Sequence, residues 1–343
     1  MRHAATAFLV CVLGCILLHA EPLTVPVVGQ GWQITFEAPL LTMEGVQPNE
    51  NGLAYRATAG RFNVSVFVEN PAGQSGDSKA CRDHIWSQAS QNPMIQKDSI
   101  KQWSAPACEC VEYVLAGESK GEKFTQANIN CFFAYEGKWM DVHASFVFAT
   151  EADVQTLKQL AQSLAYGPFP EWKGGPLSFA LGDMGQLQID LPSGWRVGNR
   201  SAVKNEGMPD QYTLSFYSAS TPNKNWKMSF FKSAARFKTL KDIQQTAQSA
   251  QQSVADDSVE HAVNLQEIKL KQGVGCQAVY TDAALADKPV EIGNAKVISS
   301  GFIAPVPNVL GTITIFADDA KDSDFLAAIQ ALSTIELEPV KTR

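Results

Sequence analysis

The amino-acid sequence predicts an α+β fold made of two tandem copies of an antiparallel sheet covered by helices. The first observation is an internal duplication, in which residues 32–164 share their order of strand and helix patterns with residues 187–335. The second is an alternation of apolar and polar side chains over 62–68 and 228–232, which is typical of half-buried strands. The third is the recurrence of apolar residues at helical spacing after Leu240, which indicates an amphipathic helix.

The length of the chain predicts the same division. A chain of 343 residues suits two domains of about 100–200 residues each. We predict a first copy over 21–166, a second copy over 177–338 and a short tail over 339–343. The join at 167–176 is rich in proline and glycine, which disfavour regular structure, so it is predicted to be a linker.

Two aromatic residues, Phe169 and Trp172, lie within this predicted linker. Large apolar side chains are unusual in a solvated tether. One interpretation is that they hold the linker against a domain. The other is that they form an exposed aromatic docking surface for a partner.

The N-terminus has the pattern of an export signal over residues 1–20. Arg2 gives a positive start, and an apolar run over 4–18 follows, which is shorter than the roughly 20 residues that span a bilayer. We predict cleavage after Ala20, so that the protein is extracytoplasmic, either periplasmic or secreted. Lipid attachment at Cys15 and retention of the segment as an anchor are the alternatives.

Composition excludes one class of partner. The hydrophobic content of 45% and charged content of 18% are those of a soluble globular chain. The net charge is −7, and no basic stripe is present. Nucleic-acid binding requires concentrated Lys and Arg, so we predict that nucleic acid is not a partner.

The order of strands and helices resembles that of a known superfamily. A first strand ends at Pro39, and a strand pair, a helix and an antiparallel meander with a small residue at its start come next. A last helix ends at Ser163-Leu164, and the same order recurs in the second copy. This order resembles the PsbP-like superfamily over nearly the whole chain after residue 20.

The resemblance implies a fold and a type of work. The fold is an α/β/α sandwich around an antiparallel sheet in each copy. The work is non-enzymatic, in which the protein docks to or assists a larger protein assembly. The family pattern has no catalytic residues that could be carried over to this chain.

Sequence motifs for catalysis are scarce. Beyond the signal the chain has three histidines, His84, His143 and His261, which are far apart in sequence. No Gly-x-Ser-x-Gly, phosphate-binding or dinucleotide-binding motif is present. We therefore expect no catalytic residue, no cofactor and no metal site.

The cysteines are the most specific group of residues. Cys81, Cys108, Cys110 and Cys131 lie in the first copy, and Cys276, which aligns with Cys108 in the repeat, lies in the second. Four cysteines in an exported domain predict two disulfides. A zinc or copper site, free thiols and a redox-active Cys-x-Cys motif are the alternatives.

The spacing of these cysteines favours one pairing. Cys108 and Cys110 point to the same face of a strand, and a hairpin turn near 119–120 sets Cys108 opposite Cys131. Cys81 lies on the apolar stripe of a helix, where it faces a sheet. We predict Cys108–Cys131 and Cys81–Cys110 disulfides, with Cys276 left as a buried free thiol.

The acidic cluster at 318–324 directly precedes the last helix. Carboxylates there cap free amides and oppose the helix dipole. We predict a helix cap, with a cation site as the alternative.

Three functions remain open. The leading prediction is an exported, non-enzymatic tandem-domain protein that binds or assists a protein partner or an envelope assembly. The alternative is a periplasmic protein that binds a small ligand or a metal. A thiol-redox enzyme is the third.

Overall fold

The computed structural model describes most of the chain. The described residues are 21–27, 30–39, 42–49, 52–71, 76–119, 121–170, 172–203, 210–219, 221 and 223–340. The predicted signal over residues 1–20, including the alternative lipid attachment at Cys15, lies outside the described residues, as does the end of the predicted tail.

The described residues of the first half form ten strands and two α-helices. They are β1 (Glu21–Val27), β2 (Trp32–Ala38), β3 (Thr42–Asn49), β4 (Gly52–Ala59), β5 (Phe62–Glu69), α1 (Ser78–Ala89), β6 (Lys101–Ser104), β7 (Glu109–Ser119), β8 (Glu122–Tyr135), β9 (Lys138–Val147), α2 (Glu151–Ser163) and β10 (Ala165–Pro168). A 3-10 helix at Lys97–Ser99 precedes β6.

In the second half, the part of the chain that the structure describes forms ten more strands and three α-helices. They are β11 (Gly175–Ala180), β12 (Gln186–Leu191), β13 (Trp195–Val203), β14 (Gln211–Ser218), β15 (Asn225–Lys232), α3 (Leu240–Ala250), α4 (Gln252–Asp256), β16 (Gln266–Glu267), β17 (Val274–Thr281), β18 (Val297–Val306), β19 (Val309–Ala317), α5 (Ser323–Ala331) and β20 (Glu336–Glu338). Two 3-10 helices lie at Gly182–Met184 and Leu332–Thr334.

The strands of the described residues form four separate antiparallel sheets. One seven-stranded sheet has the order β3-β4-β5-β9-β8-β7-β6, and the other has the order β13-β14-β15-β19-β18-β17-β16. The two orders correspond strand for strand. Each half also has a three-stranded sheet, β1-β2-β10 in the first and β11-β12-β20 in the second.

The predicted fold class is wrong. The structure is mostly β, with 49% of it in strands and 21% in helices, and its four antiparallel sheets do not make an α/β/α sandwich. The small sheets account for part of the difference, because their edge strands contain proline, which is not typical of strands. Pro22 and Pro26 lie in β1, and Pro168 ends β10, and both are edge strands, where proline is tolerated because a missing amide donor faces no partner.

The main core of the first half lies on one face of its large sheet. It contains side chains from β2, such as Trp32 and Ile34, from β5, such as Val66, and from α2, such as Leu160. The α1 helix packs on the opposite face, where Trp86 of the helix joins the second cluster of this half. The large sheet of the first half is therefore covered differently on its two faces.

The α2 helix begins with a capping box. Thr150 accepts a hydrogen bond from the Asp153 amide, and the Asp153 carboxylate accepts one from the Thr150 amide at 2.8 Å. The cap of α5 is Asp322, which accepts hydrogen bonds from the amides of Asp324 and Phe325. Within the described ranges, no helix combines the length and the apolar character needed to cross a bilayer.

Candidate thiol site

The β7–β8 hairpin brings three cysteines together. Cys110 on β7 pairs directly with Cys131 on β8. Cys108 precedes β7 and lies two residues before Cys110, so that the two side chains point to the same sheet face. The pairing closes at Ser119 opposite Glu122, next to Gly121, whose φ of 82° is readily adopted by glycine.

The three thiols form a compact buried group, which we call the three-sulfur cluster. The Sγ atoms of Cys108, Cys110 and Cys131 all lie within 4.8 Å of one another, and those of Cys108 and Cys110 are 3.6 Å apart. Only 4% of Cys108 is exposed, and Cys110 and Cys131 are fully buried. Among the described residues, this is the one place where three potential metal ligands converge.

The surroundings of the three-sulfur cluster are apolar. All three cysteines belong to the main core of the first half, together with Leu160 and Ala161 of α2. The Cys108 Sγ lies 3.9 Å from the Ala161 carbonyl oxygen. On the solvent side, a short turn over 104–108 closes with a 2.9 Å hydrogen bond from the Ala105 amide to the Cys108 carbonyl.

The three thiols differ in acidity because they share hydrogen bonds. Side-chain hydrogen bonds with Cys110 and Cys131 hold the pKa of Cys108 well below its ordinary value. The same hydrogen bonds raise the pKa of Cys110 and of Cys131, and burial raises both further. Hydrogen bonds of this kind favour ionisation of one thiol of the three and disfavour it in the other two.

The observed register corrects the predicted cysteine geometry. Cys110, and not Cys108, lies opposite Cys131, because the hairpin closes two residues away from the predicted alignment. The described cysteines are free thiols, so the structure contains neither the predicted Cys108–Cys131 disulfide nor the predicted Cys81–Cys110 disulfide.

Cys81 does not meet the other three cysteines of the first half. It lies on α1 and packs with Trp86 and Phe132, on the sheet face opposite to the main core. Its thiol donates a hydrogen bond to the Met140 carbonyl at 3.5 Å. The predicted Cys81–Cys110 bridge would therefore have to pass through the sheet.

Cys276 is a buried free thiol under α3, and burial raises its pKa to about 11. Its predicted equivalence to Cys108 does not hold. Cys276 faces a helix and packs with Ala247 and Leu310, whereas Cys108 faces the main core of its own half.

The corresponding core face of the second half has no cysteine among the described residues. Residues on that face of β17 and β18 include Gly275 and Ile303, which are directly paired. A Cβ atom added to Gly275 would lie only 2.9 Å from Ile303 Cγ2. The three-sulfur cluster is therefore a property of the first half alone.

A buried polar pair, Asn130 and Asp141, lies on the α1 face of the first half, and the sequence analysis did not identify it. Asn130 donates two hydrogen bonds from Nδ2 to the buried Asp141 carboxylate, at 2.8 and 2.9 Å. Burial raises the pKa of Asp141 to about 7. The Asn130 Oδ1 atom is buried and has no hydrogen-bond partner. The signal that could have revealed the pair is a polar residue between two apolar neighbours on each strand, Asn130 on β8 and Asp141 on β9.

The three histidines do not form a site. His143 on β9 contacts Asn128 Oδ1 at 3.0 Å through Nε2, and burial lowers its pKa to about 4. His84 on α1 lies against the Trp139 ring, with ring centroids 5.3 Å apart. His261 is exposed. No two of them belong to a common ligand group in the described structure.

The predicted docking aromatics contact the protein itself. Phe169 lies against Tyr217 of β14, with ring centroids 6.0 Å apart, and Trp172 packs on the core of the second half. The Trp172 Nε1 donates a hydrogen bond to the Pro192 carbonyl at 3.3 Å. Both rings are partly buried. They contact the second half, as the first interpretation expects, and their use as a docking surface stays a prediction.

Comparisons with known proteins give no assignment. No family model matches the chain, and no curated protein matches it. A solved structure from Bacteroides thetaiotaomicron is 14% identical, covers 50% of this chain and 51% of its own chain, and has a TM-score of 0.29. The apo structure of TplEi, an immunity protein of the Pseudomonas aeruginosa T6SS, is 8% identical, covers 93% and 97%, and also has a TM-score of 0.29.

Similarity at this TM-score supports no conclusion about this chain. The chain spans about half the length of the Bacteroides protein. The PsbP-like resemblance is not shown by any comparison. What stands is a β-rich protein of several antiparallel sheets.

Proposed function

We propose that this is an exported, non-enzymatic binding protein whose first half binds a soft, thiophilic ligand at the three-sulfur cluster. The convergence of the Cys108, Cys110 and Cys131 sulfurs within 4.8 Å carries the proposal. Soft ligand atoms such as thiolates select soft ions, and carboxylate or carbonyl oxygens select hard ones. A site made only of sulfur therefore favours a soft ligand.

The geometry is suitable for joint coordination. Three sulfurs bound at about 2.3 Å to one central atom lie roughly 3.5–4 Å apart. The Cys108–Cys110 sulfur separation of 3.6 Å falls in that range. The other two sulfur–sulfur distances are at most 4.8 Å, and small side-chain rotations would bring them into the same range. The cross-strand pair provides two fixed donors, because both cysteines lie on paired strands.

The number of cysteines also supports ligand binding over two structural disulfides. Three thiols share one core, and Cys81 lies on the other side of the sheet. One disulfide at most can form within the three-sulfur cluster, and it leaves one thiol unpaired. A ligand that engages three sulfurs uses all of them.

Cadmium is a suitable general probe, because sulfur ligation of Cd(II) produces a charge-transfer absorption in the ultraviolet. We expect the reduced protein to bind one Cd(II) with this absorption. The Cys131→Ser variant should lose most of it, and the matched Cys276→Ser variant, which removes a buried thiol outside the cluster, should keep it. Unchanged absorption in Cys131→Ser would contradict the assignment to this site.

The partner-binding function predicted from the sequence stays a prediction. The proposed ligand site does not conflict with it, because the three-sulfur cluster lies inside the first half and leaves the surface open. Non-enzymatic work remains part of the proposal, since the described histidines and carboxylates form no constellation around the sulfurs.

A further inference from the structure

We propose that the ligand of the three-sulfur cluster is an uncharged trihydroxide of a trivalent soft element, arsenous or antimonous acid. This inference rests on the proposed function, because it names the ligand class of the same site. It is carried by three properties of the cluster: the number of sulfurs, the apolar surroundings and the position of Cys108.

The number of sulfurs matches the valence of these elements. A trivalent arsenic or antimony atom forms three bonds, and its lone pair occupies the fourth direction, so that the complex is a pyramid with three ligands. Cys108, Cys110 and Cys131 are the three donors, and no fourth ligand joins them among the described residues. Structural zinc sites are tetrahedral and use four ligands.

The surroundings favour a ligand that brings no charge. For each sulfur, one As–O bond breaks and one As–S bond forms, and the S–H proton leaves with the hydroxyl group as water. Three thiols and one arsenous acid thus give one tris-thiolate complex and three waters, and arsenic stays trivalent. No net charge enters the core.

A cation would be held at greater cost. Three thiolates around a monovalent ion leave a net negative charge in an apolar core, and an uncompensated buried charge is strongly unfavourable. Apart from the sulfurs, the charged neighbour that acts on Cys108 is Glu109, which is also an acid. Two basic side chains of the helices that cover the sheet are paired with acids of β7: Arg82 with Glu109 at 2.8 Å, and Lys158 with Glu112 at 3.9 Å.

Cys108 gives the ligand a route to the site. It is the cysteine of the cluster that lies outside a strand, and it is the most exposed of the three at 4%. It ends the turn over 104–108, in which Pro106 is exposed to solvent. We expect Cys108 to bind first and to pass the ligand to the fixed pair, Cys110 and Cys131.

The test uses the reduced, purified protein without oxygen. It is incubated with arsenite and, separately, with Cu(I) and Cd(II), and bound ligand is measured by native mass spectrometry after desalting. We expect arsenite to add one arsenic atom less three hydrogen atoms. Arsenite affinity should not fall as pH falls through the neutral range, because the reaction releases no proton and takes one up for each thiol that is already ionised, whereas cation binding to thiols weakens as pH falls.

The three cysteines are tested by single replacements with serine. Each of Cys108→Ser, Cys110→Ser and Cys131→Ser should weaken arsenite binding by on the order of 100-fold, because one tethered bond is lost. Cys81→Ser and Cys276→Ser are the matched controls and should bind normally. Phenylarsonous acid has two exchangeable hydroxyl groups and needs only two thiols. Each single serine variant keeps two thiols of the cluster and should still bind it, provided that the variant folds.

The outcomes separate the two proposals. If Cu(I) or Cd(II) is retained and arsenite is not, the ligand class is wrong while soft-ligand binding stands. If none of the three probes is retained by the reduced protein, both proposals fail. If arsenite binding survives in every cluster variant and falls in Cys81→Ser or Cys276→Ser, the site is wrong.

Discussion

Cys110 on β7 lies directly opposite Cys131 on β8, with both side chains fully buried in the main core of the first half. Directly opposed residues in an antiparallel pair have Cα atoms about 4.5–5.5 Å apart, which is within the range of disulfides. Oxidation of this pair and ligand binding therefore compete for the same sulfurs. The proposed export would place this competition in an oxidising compartment.

We accordingly expect a mild thiol oxidant to form a Cys110–Cys131 disulfide and to abolish cadmium and arsenite binding. Cys108 should remain a free thiol, since it has no second partner on that face. Ligand bound before oxidation should protect the pair. Peptide mapping without reduction is the measurement, and a disulfide that contains Cys81 or Cys276 would contradict the described packing.

Replacement of Asp141 by Asn should stabilise the protein above neutral pH. Burial raises the pKa of Asp141 from 3.8 to about 7, so its favourable contribution is complete below pH 3.8 and is lost as pH rises through about 7. In Asp141→Asn the new amide can donate to the unpartnered Asn130 Oδ1. We expect a gain of about 1–3 kcal/mol in the free energy of unfolding near pH 8.

Urea unfolding near pH 5 and near pH 8 measures this effect. Asp98→Asn is the control, because Asp98 is exposed on the same half of the chain. Its free energy of unfolding should change little at either pH. A loss of stability in Asp141→Asn near pH 8 would show that Asp141 is ionised in a favourable environment, contrary to the structure.

His143 should make the protein less stable in acid. Burial lowers its pKa from 6.5 to about 4, so the folded state keeps the neutral ring while the unfolded state takes up a proton. Its contribution to stability is complete above about pH 6.5 and is lost as pH falls towards 4. His143→Gln, which can still donate to Asn128, should lose less stability than the parent between pH 6.5 and 4.

Chemical unfolding of both proteins across this pH range provides the comparison. The effect of Asp141 runs in the opposite direction but is common to both proteins, so the difference between them isolates His143. Replacement of the exposed His84 serves as the control. An equal slope for the parent and His143→Gln would contradict the described burial of the ring.

Lys224 should contribute to the stability of the second half. It is buried and pairs with Asp322 at 2.7 Å and Asp324 at 3.1 Å, at the start of α5. We expect Lys224→Met to reduce the free energy of unfolding by about 1–3 kcal/mol, because two carboxylates lose a charged donor. Lys232→Met is the matched control, since the Lys232–Asp183 pair is exposed and should contribute less than about 1 kcal/mol.

Thermal or urea unfolding of the two lysine variants checks this contrast. Equal losses in Lys224→Met and Lys232→Met would show that burial of Lys224 has no energetic weight. The prediction also specifies the role of the acidic cluster, which is to cap α5 and to hold a buried lysine.

Parts of the fold could be predicted from local pattern. The sequence indicated the α1 and α2 helices and the long β7–β8 hairpin. These elements depend mainly on residues that are close together along the chain. The four-sheet arrangement could not be predicted in the same way. It depends on long-range pairing, such as β2 with β10, which joins Thr35 to Ala165.

The sequence singled out the cysteines of the candidate site, as disulfide partners, but it did not predict their geometry. The pattern placed Cys108 and Cys110 on one sheet face, and that is where they lie. The register of a hairpin depends on the conformation of its turn, and a change of two residues put Cys110 opposite Cys131. The Asn130–Asp141 pair was missed because the pattern of apolar residues gives no weight to polar partners on adjacent strands.

The duplication within this chain supplies a natural reference for a large sheet whose core face has no cysteine among the described residues. The second large sheet keeps the strand order of the first with Gly275 and Ile303 on its core face. A sheet of this topology is therefore built without a single thiol on that face of the described second half. The fold therefore does not require cysteine at the positions of Cys108, Cys110 and Cys131. The reason for three thiols in the first half must be sought in their reactivity.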